Sequence, residues 1–195
     1  MNFKILPYQQ QEEKWIRACQ KGEATAQRQV YEKYARKMLG VCLRYANDSF
    51  EAEEILISGF LKVFDKVGQF KGEGSFEGWI RKIMVNQALS YLRKNKSIYL
   101  ETDLEKADYE PDFQSPNSHL EAEDLLIMIQ QLPPGYKTVF NLYAIEGYSH
   151  KEIANLLHIS ESTSKSQLCR ARALLQQYLA ESESETKITH YGNGR

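Results

Sequence analysis

Apolar side chains recur every three to four residues along almost the whole chain, and no stretch shows the two-residue alternation of a strand. The pattern predicts a helix from Gln11 to Gln20, interrupted by Gly22. Glu23 or Thr25 opens a longer helix in which Val30, Tyr34, Met38, Val41, Cys42 and Tyr45 share a face. Asn47-Asp48-Ser49 reads as a turn and cap. A helix from Phe50 to Val67 follows, with Ile55, Phe60, Val63, Phe64 and Val67 facing inward. Gly68 to Ser75 reads as a loop, and Ser75 or Phe76 starts a helix through Lys94. The periodicity fails from Ser97 to Ser118. It resumes at His119–Gln131, is punctuated by Pro133-Pro134-Gly135, and continues through Tyr136–Glu146. The expected fold is all-α, with two small helical modules at 1–96 and 119–180. An extended linker at 97–118 joins them, and 181–195 is expected to be a disordered tail.

The sharpest local signal runs from Gly147 to Arg172. Ser149 and Glu152 fit a capping box, in which the serine bonds the third backbone N–H and the glutamate reaches back to the cap. Ile153, Ala154, Leu156 and Leu157 form one apolar stripe. Ile159 buries a tight turn, and Ser160 is a second N-cap candidate. In the next helix Leu168, Ala171 and Leu175 face inward. That leaves Ser162, Lys165, Ser166, Cys169, Arg170 and Arg172 for the outer or flanking faces. A short helix, a tight turn and a helix with small polar and basic residues near its start suit entry into a DNA major groove. A capped helical hairpin with a solvated basic face is the plainer reading of the same residues.

Charge sharpens the picture by its distribution. In 195 residues, 25 Lys and Arg stand against 26 Asp and Glu, for a net charge of -1. A protein that only coats nucleic acid would be more basic. Here Arg81, Lys82, Arg93, Lys94 and Lys96 fall within Trp79–Ile98 without one acid, whereas nine acids and one lysine, Lys106, fall within Glu101–Asp124. Local patches of this kind set the field that a partner meets.

The basic stretch adjoins aromatic residues. Phe64, Phe70, Phe76, Trp79 and Tyr91 surround the loop Lys71-Gly72-Glu73-Gly74-Ser75, and Lys82, Asn86, Ser90 and Arg93 lie beyond it. Unpaired nucleic acid is held by such basic grooves and aromatic platforms. Asn86 carries both a donor and an acceptor for a base edge, although a structural hydrogen bond is an equal use for it. Core burial competes with stacking for Phe76 and Trp79, and Phe64 reads as core.

Cys19, Cys42 and Cys169 are scattered and form no CxxC, which suits small buried side chains in a reducing cytoplasm. No His/Cys cluster suggests a metal, and neither a phosphate-cradling glycine motif nor a nucleophile–base set is legible. No enzymatic activity, metal or cofactor is expected. No run reaches membrane-span length and the N-terminus lacks the apolar core of a signal peptide, so a soluble cytoplasmic chain without membrane insertion is expected.

Two blocks then resemble one family. The first spans Tyr34 to Lys96, with Glu51-Ala52-Glu53-Glu54-Ile55, Phe60-Leu61-Lys62-Val63-Phe64, Phe70, Ser75-Phe76, Trp79-Ile80 and Ile83-Met84-Val85-Asn86. The second spans Leu132-Pro133-Pro134 to Leu179. Together they resemble regions 2 and 4 of the extracytoplasmic-function sigma factors, the smallest bacterial sigma class. The resemblance implies a dissociable promoter-specificity subunit of RNA polymerase. Its first module would grip the clamp helices of the largest polymerase subunit through Glu51, Glu53, Glu54 and Ile57. That module would also capture the melted minus-ten strand through Lys71, Gly72, Ser75, Phe76, Lys82, Asn86 and Arg93. Its second module would sit on the polymerase flap and read the minus-thirty-five element through Ser162, Thr163, Lys165, Ser166, Cys169 and Arg170. The acidic linker would thread a channel built for a polyanion, and an anti-sigma factor would be a further partner.

This chain departs from the family pattern at three places. Ile57-Ser58 replaces a common Gln-Glu pair, Ser164 stands where valine is usual, and His158 where glycine is usual. Ile57 could offer an apolar contact instead, and Ser164 loosens one buried contact. His158 must take the turn conformation at some cost, although histidine tolerates positive φ better than most residues. Two other classes remain. One is a duplex-binding helix-turn-helix regulator whose N-terminal helices serve dimerisation or signalling. The other is a helical adaptor without nucleic acid. The aromatic and basic block at 64–96 argues against the first, and the basic face from Lys165 to Arg172 against the second.

Overall fold

The computed structural model describes residues 7–94 and 122–192, which are largely helical and fall into two compact units, one to each side of Lys94/Asn95. The linker expected at 97–118 lies outside the described residues.

The first unit contains α1 (Pro7–Gln20), α2 (Ala24–Leu43), α3 (Ser49–Lys66), a 3-10 turn at Val67–Gln69, and α4 (Phe76–Lys94). α2 is the central element, in contact with α1, α3 and α4. Its stripe of Val30, Tyr34, Met38, Val41 and Cys42 is buried at the expected helical spacing. Ala52, Ile55, Phe60 and Val63 meet it from α3, and Ile80, Met84, Ala88 and Leu89 from α4. Each large aliphatic or aromatic side chain among them contributes about 1.5–3 kcal/mol relative to exposure. Asp48 stops the chain before α3 from fraying, since its carboxylate accepts the Glu51 N–H at 2.8 Å. Glu51 in turn accepts from Asn47 N and Nδ2. Between α1 and α2, Glu12 accepts from Lys33 and from the Tyr34 hydroxyl, while the Lys33 ammonium lies 5.1 Å from the Trp15 ring centroid.

The second unit contains α5 (Ala122–Gln131), α6 (Pro134–Phe140), a π-helical turn at Asn141–Ile145, α7 (His150–Leu157) and α8 (Glu161–Gly192). Met128, Ile129, Leu132, Ala171 and Leu175 form a buried cluster, flanked by Tyr136, Phe140, Ile145 and Leu174. Two expectations change here. The single helix expected at Tyr136–Glu146 is split, because Asn141–Ile145 takes the wider i→i+5 turn, with Glu146 N donating to Asn141 O at 2.9 Å. Residues from Glu181, expected as a disordered tail, continue α8 to Gly192. No glycine or proline stands between Gly147 and Gly192 to stop that helix.

α3 meets α4 at Gly59, where an added Cβ would land on the Met84 thioether, itself fully buried. Gly59→Val should therefore overpack the seam and cost about 1–3 kcal/mol. At Gly40, on the open side of α2, an added Cβ would meet nothing within 4 Å. Gly40→Ala should stabilise by about 0.5–1 kcal/mol through helix propensity alone. Denaturant midpoints of the two variants should move in opposite directions.

Candidate nucleic-acid interface

α6 begins with Pro134 in its first turn, where the missing N–H is harmless. After the π turn, Gly147 reverses the chain with φ +77. Ser149 then caps α7 through the complete capping box. Its N–H and hydroxyl donate to Glu152 at 2.8 and 2.7 Å, and the Glu152 N–H returns to Ser149 Oγ. α7 ends at His158, which takes the left-handed conformation with φ 56 and ψ 43. That geometry lets Ile159 N donate to Ala154 O, and the chain turns into α8. Ser160 caps α8 by accepting the Thr163 N–H at 2.9 Å, while its hydroxyl also meets those of Ser162 and Thr163.

Ile153 and Leu157 of α7 and Leu168 of α8 are buried where the two helices are in contact. Ser162 and Lys165 stand exposed near the start of α8, with Cys169 half-buried a turn further on. Thr163, Ser166 and Arg170 occupy the flank, half-buried. Ser166 Oγ donates to Thr163 O at 3.0 Å, and Arg170 Nη1 donates to the Tyr136 hydroxyl on α6 at 3.3 Å. The candidate set on α8 is thus brought together, but Arg170 leans toward α6.

Five residues absent from the expected set support α8 from behind. Ser164 is fully buried and lies 2.9 Å from His150 Nδ1. His150 stacks on Tyr143 of the π turn at 4.5 Å and 22°, and the Arg172 guanidinium lies 5.8 Å from the same ring. Gln167, also buried, lays its amide against Gly135. The sequence signal for this layer was the run of polar side chains at 164 and 167, on the inward side of an otherwise apolar stripe.

In the first unit, Glu53, Glu54 and Ile57 are exposed on α3, and Tyr91 Oη donates to Glu54 at 3.1 Å. Glu51 is half-buried and engaged at the start of the helix. The same side of α3 exposes Phe50 at 72%, Ile57 at 57% and Leu61 at 67%. Phe50 and Leu61 were not among the expected contact residues, although their spacing about Ile57 is helical. The Gly72 and Gly74 turns, both with positive φ, leave Lys71 and Ser75 exposed, and Ser75 caps α4 through Gly78 N at 3.0 Å. Lys82, Asn86 and Arg93 are exposed along α4. Arg93 folds back on its helix, donating to Leu89 O and Ser90 Oγ.

Phe76 is a correction. It is 2% exposed, packed between Phe70, Trp79 and Tyr34, with the Trp79 ring stacked at 5.6 Å and 12°. As the first residue of α4 it points into the core, so its ring is not available to a base. Phe70 and Trp79, both half-buried, are the aromatic surfaces nearest the loop.

Among the described residues no group of three or more His, Cys, Asp or Glu side chains could hold a metal, and no helix is long and apolar enough to cross a membrane. All three cysteines are free, and burial pushes the Cys42 thiol up to about 12.

The family model for sigma-70 region 2 matches residues 30–98, and that for sigma-70 region 4 matches residues 122–175; together they span more than half of the chain. Among curated proteins, the RNA polymerase sigma-H factor of Pseudomonas aeruginosa is 27% identical, over 88% of this chain and 95% of that protein. The ECF RNA polymerase sigma factor SigE of Mycolicibacterium smegmatis is 31% identical, over 81% of this chain and 63% of that protein. Among solved structures, the sigma factor RpoE in complex with the anti-sigma factor NepR from Bartonella quintana aligns with a TM-score of 0.49 and 19% identity, over 78% of this chain and 96% of that one.

Two outcomes follow from this geometry. Ser149→Ala should cost the second unit about 1 kcal/mol, seen as a lowered melting transition of that unit in the full chain. His150 has its pKa lowered from 6.5, first by burial and then by Lys165 and Arg172, with Glu161 opposing. Its unfolded form therefore binds the proton first. Stability of the second unit should fall as the pH drops below 6.5 and level off once the folded ring is protonated too. Denaturant melts across this range check the sign, and His150→Phe should flatten that part of the profile.

Proposed function

The chain belongs to the sigma-70 family of RNA polymerase sigma factors, of the extracytoplasmic-function type, and from that premise we propose how its exposed residues divide the work. As a sigma factor it directs core RNA polymerase to promoters and initiates transcription there. It is a specificity subunit that acts in the cytoplasm and catalyses no reaction of its own. The observation that carries the reading is that both sigma-70 regions occur in order, and that the second presents a doubly capped helix-turn-helix with Ser162 and Lys165 outward.

α3 is the polymerase-docking helix. Its Phe50, Ile57 and Leu61 stripe supplies apolar contact area, and Glu53 and Glu54 beside it supply charge for the clamp helices. Ile57 in this view replaces a polar contact by an apolar one. An anti-sigma factor would compete for the same stripe. The Lys71–Ser75 loop and the Lys82, Asn86 and Arg93 face hold the melted minus-ten strand, with Phe70 and Trp79 in place of Phe76 as aromatic surfaces. α8 reads the minus-thirty-five element. Lys165 enters the groove, Ser162, Thr163 and Ser166 allow close approach, and Arg170 reaches a phosphate from the α6 side. The duplex-binding regulator is not favoured, because residues 30–98 match sigma-70 region 2.

The basic test is run-off transcription by core polymerase with and without the purified chain, where absence of any promoter-specific product would sink the reading. Glu53→Lys should weaken co-purification with core polymerase while leaving the melting temperature unchanged, and Glu54→Lys should weaken it too, with a small loss of stability because the Tyr91 hydrogen bond goes with it. Asn86→Ala should impair open-complex formation, read by permanganate footprinting, more than it impairs polymerase binding. Lys165→Ala should lose about 1–3 kcal/mol at one upstream position and relax selection there, whereas Arg170→Ala should weaken all sequences alike and lower the salt slope by about one. Selection from a randomised upstream element with each variant separates the two.

A further inference from the structure

The inward side of a recognition helix is normally held by apolar packing, yet here Ser164 is fully buried in the seam between α7 and α8. It occupies the place where the family usually has valine. A buried hydroxyl without a partner would cost about 1–3 kcal/mol. Ser164 has a partner, His150 Nδ1 at 2.9 Å, fourteen residues away across the turn. His150 is itself fixed, since its ring lies flat on Tyr143 at 4.5 Å. Tyr143 belongs to the π turn, and Arg172 of α8 closes over the same ring at 5.8 Å. One imidazole therefore ties together the π turn, the start of α7 and the first turn of α8.

We propose that His150 is a positioning residue for upstream-element recognition: its neutral imidazole, clasped between Tyr143 and Ser164, sets the angle at which α8 presents Ser162 and Lys165 to the groove. The inference rests on the reading of the second unit as the minus-thirty-five module and adds to it a residue that touches no DNA. Residues 164 and 165 are adjacent, so a shift at the buried hydroxyl is transmitted directly to the groove-entering lysine. The clasp is also proton-sensitive. A neutral ring can accept the Ser164 hydrogen or, in its other tautomer, donate from Nδ1. A protonated ring can only donate, and the Ser164 hydrogen then needs another acceptor inside the seam. The imidazolium would moreover face Lys165 and Arg172 of α8, with Glu161 of α8 as the opposing charge, Tyr143 as the neutral face, and Lys151 and Glu152 beside it on α7. Its lowered pKa agrees with that arrangement.

The test uses holoenzyme assembled from the full chain and core polymerase. Its affinity for a template bearing the selected upstream element is divided by its affinity for a template with that element scrambled. Wild type, His150→Phe, Ser164→Ala and the double variant are compared at about pH 8 and about pH 5.5, either side of the ordinary histidine range. Phenylalanine keeps the stack on Tyr143 and removes the ring nitrogens. At the higher pH each single variant should lower the ratio about three- to tenfold, the size of one net hydrogen bond. The double variant should lower it no further, because both changes remove the same bond. On acidification the wild-type ratio should fall, whereas that of His150→Phe should stay flat. Association with core polymerase, measured separately, should be equal for all four. If His150→Phe fails to fold, Ser164→Ala decides, as a single-atom deletion that leaves the stack in place. Unchanged ratios in the single variants, additive losses in the double, or a wild-type acid profile in His150→Phe would overturn the proposal. A wild-type holoenzyme indifferent to every upstream element would instead overturn the reading of the second unit, and the proposal with it.

Discussion

Burial of one continuous apolar stripe per helix is the constraint from which the rest of this chain follows. Units of this size have little core to spare, so each inward position is committed to stability. α2 shows the extreme case, with Val30, Tyr34, Met38, Val41 and Cys42 all buried against three neighbours. Residues that meet a partner must then come from outward positions, loops and helix caps. The candidate set obeys this rule almost everywhere. Lys82, Asn86 and Arg93 are outward on α4, Lys71 and Ser75 lie in a loop and a cap, and Ser162 and Lys165 are outward on α8. Phe76 breaks it and turns out to be core.

That contrast shows what a sequence can and cannot disclose. Helical periodicity and capping are local, and both were legible. The Ser149–Glu152 box forms in full, and Asp48 caps α3. Large aromatics carry no such local label. Phe76 and Trp79 stand three residues apart on one helix and stack on each other, yet one is buried and the other half-exposed. Phe70 packs on both rings, and the further contact that Phe76 alone makes is with Tyr34 of α2. Phe50 and Leu61 fall outside the inward stripe of Ile55, Phe60 and Val63, and periodicity does not show that the face they share with Ile57 is apolar and uncovered. The π turn that follows α6 depends on hydrogen-bond register, which periodicity does not encode. The His150–Ser164 pair joins positions on either side of a turn, and nothing in either helix alone announces it.

Charge follows the same logic of position. With a net charge of -1 the free chain has no general attraction for nucleic acid. Acidic Glu53 and Glu54 lie on α3, and basic Lys82 and Arg93 on α4, two different helices of one unit. Such a division suits a protein that must meet another protein with one helix and a polyanion with the next.

His158 supplies the last consequence. A glycine at this left-handed turn would relieve the strain of φ 56 but would also sample a far wider set of conformations. A side chain here removes most of that freedom before any ligand arrives. The two helices on either side are then preorganised at their working angle, and the entropy of ordering them is lost during folding instead of during association. Such a turn favours a recognition element that docks as a rigid body, with discrimination expressed in how long a complex lasts and little need for rearrangement on encounter.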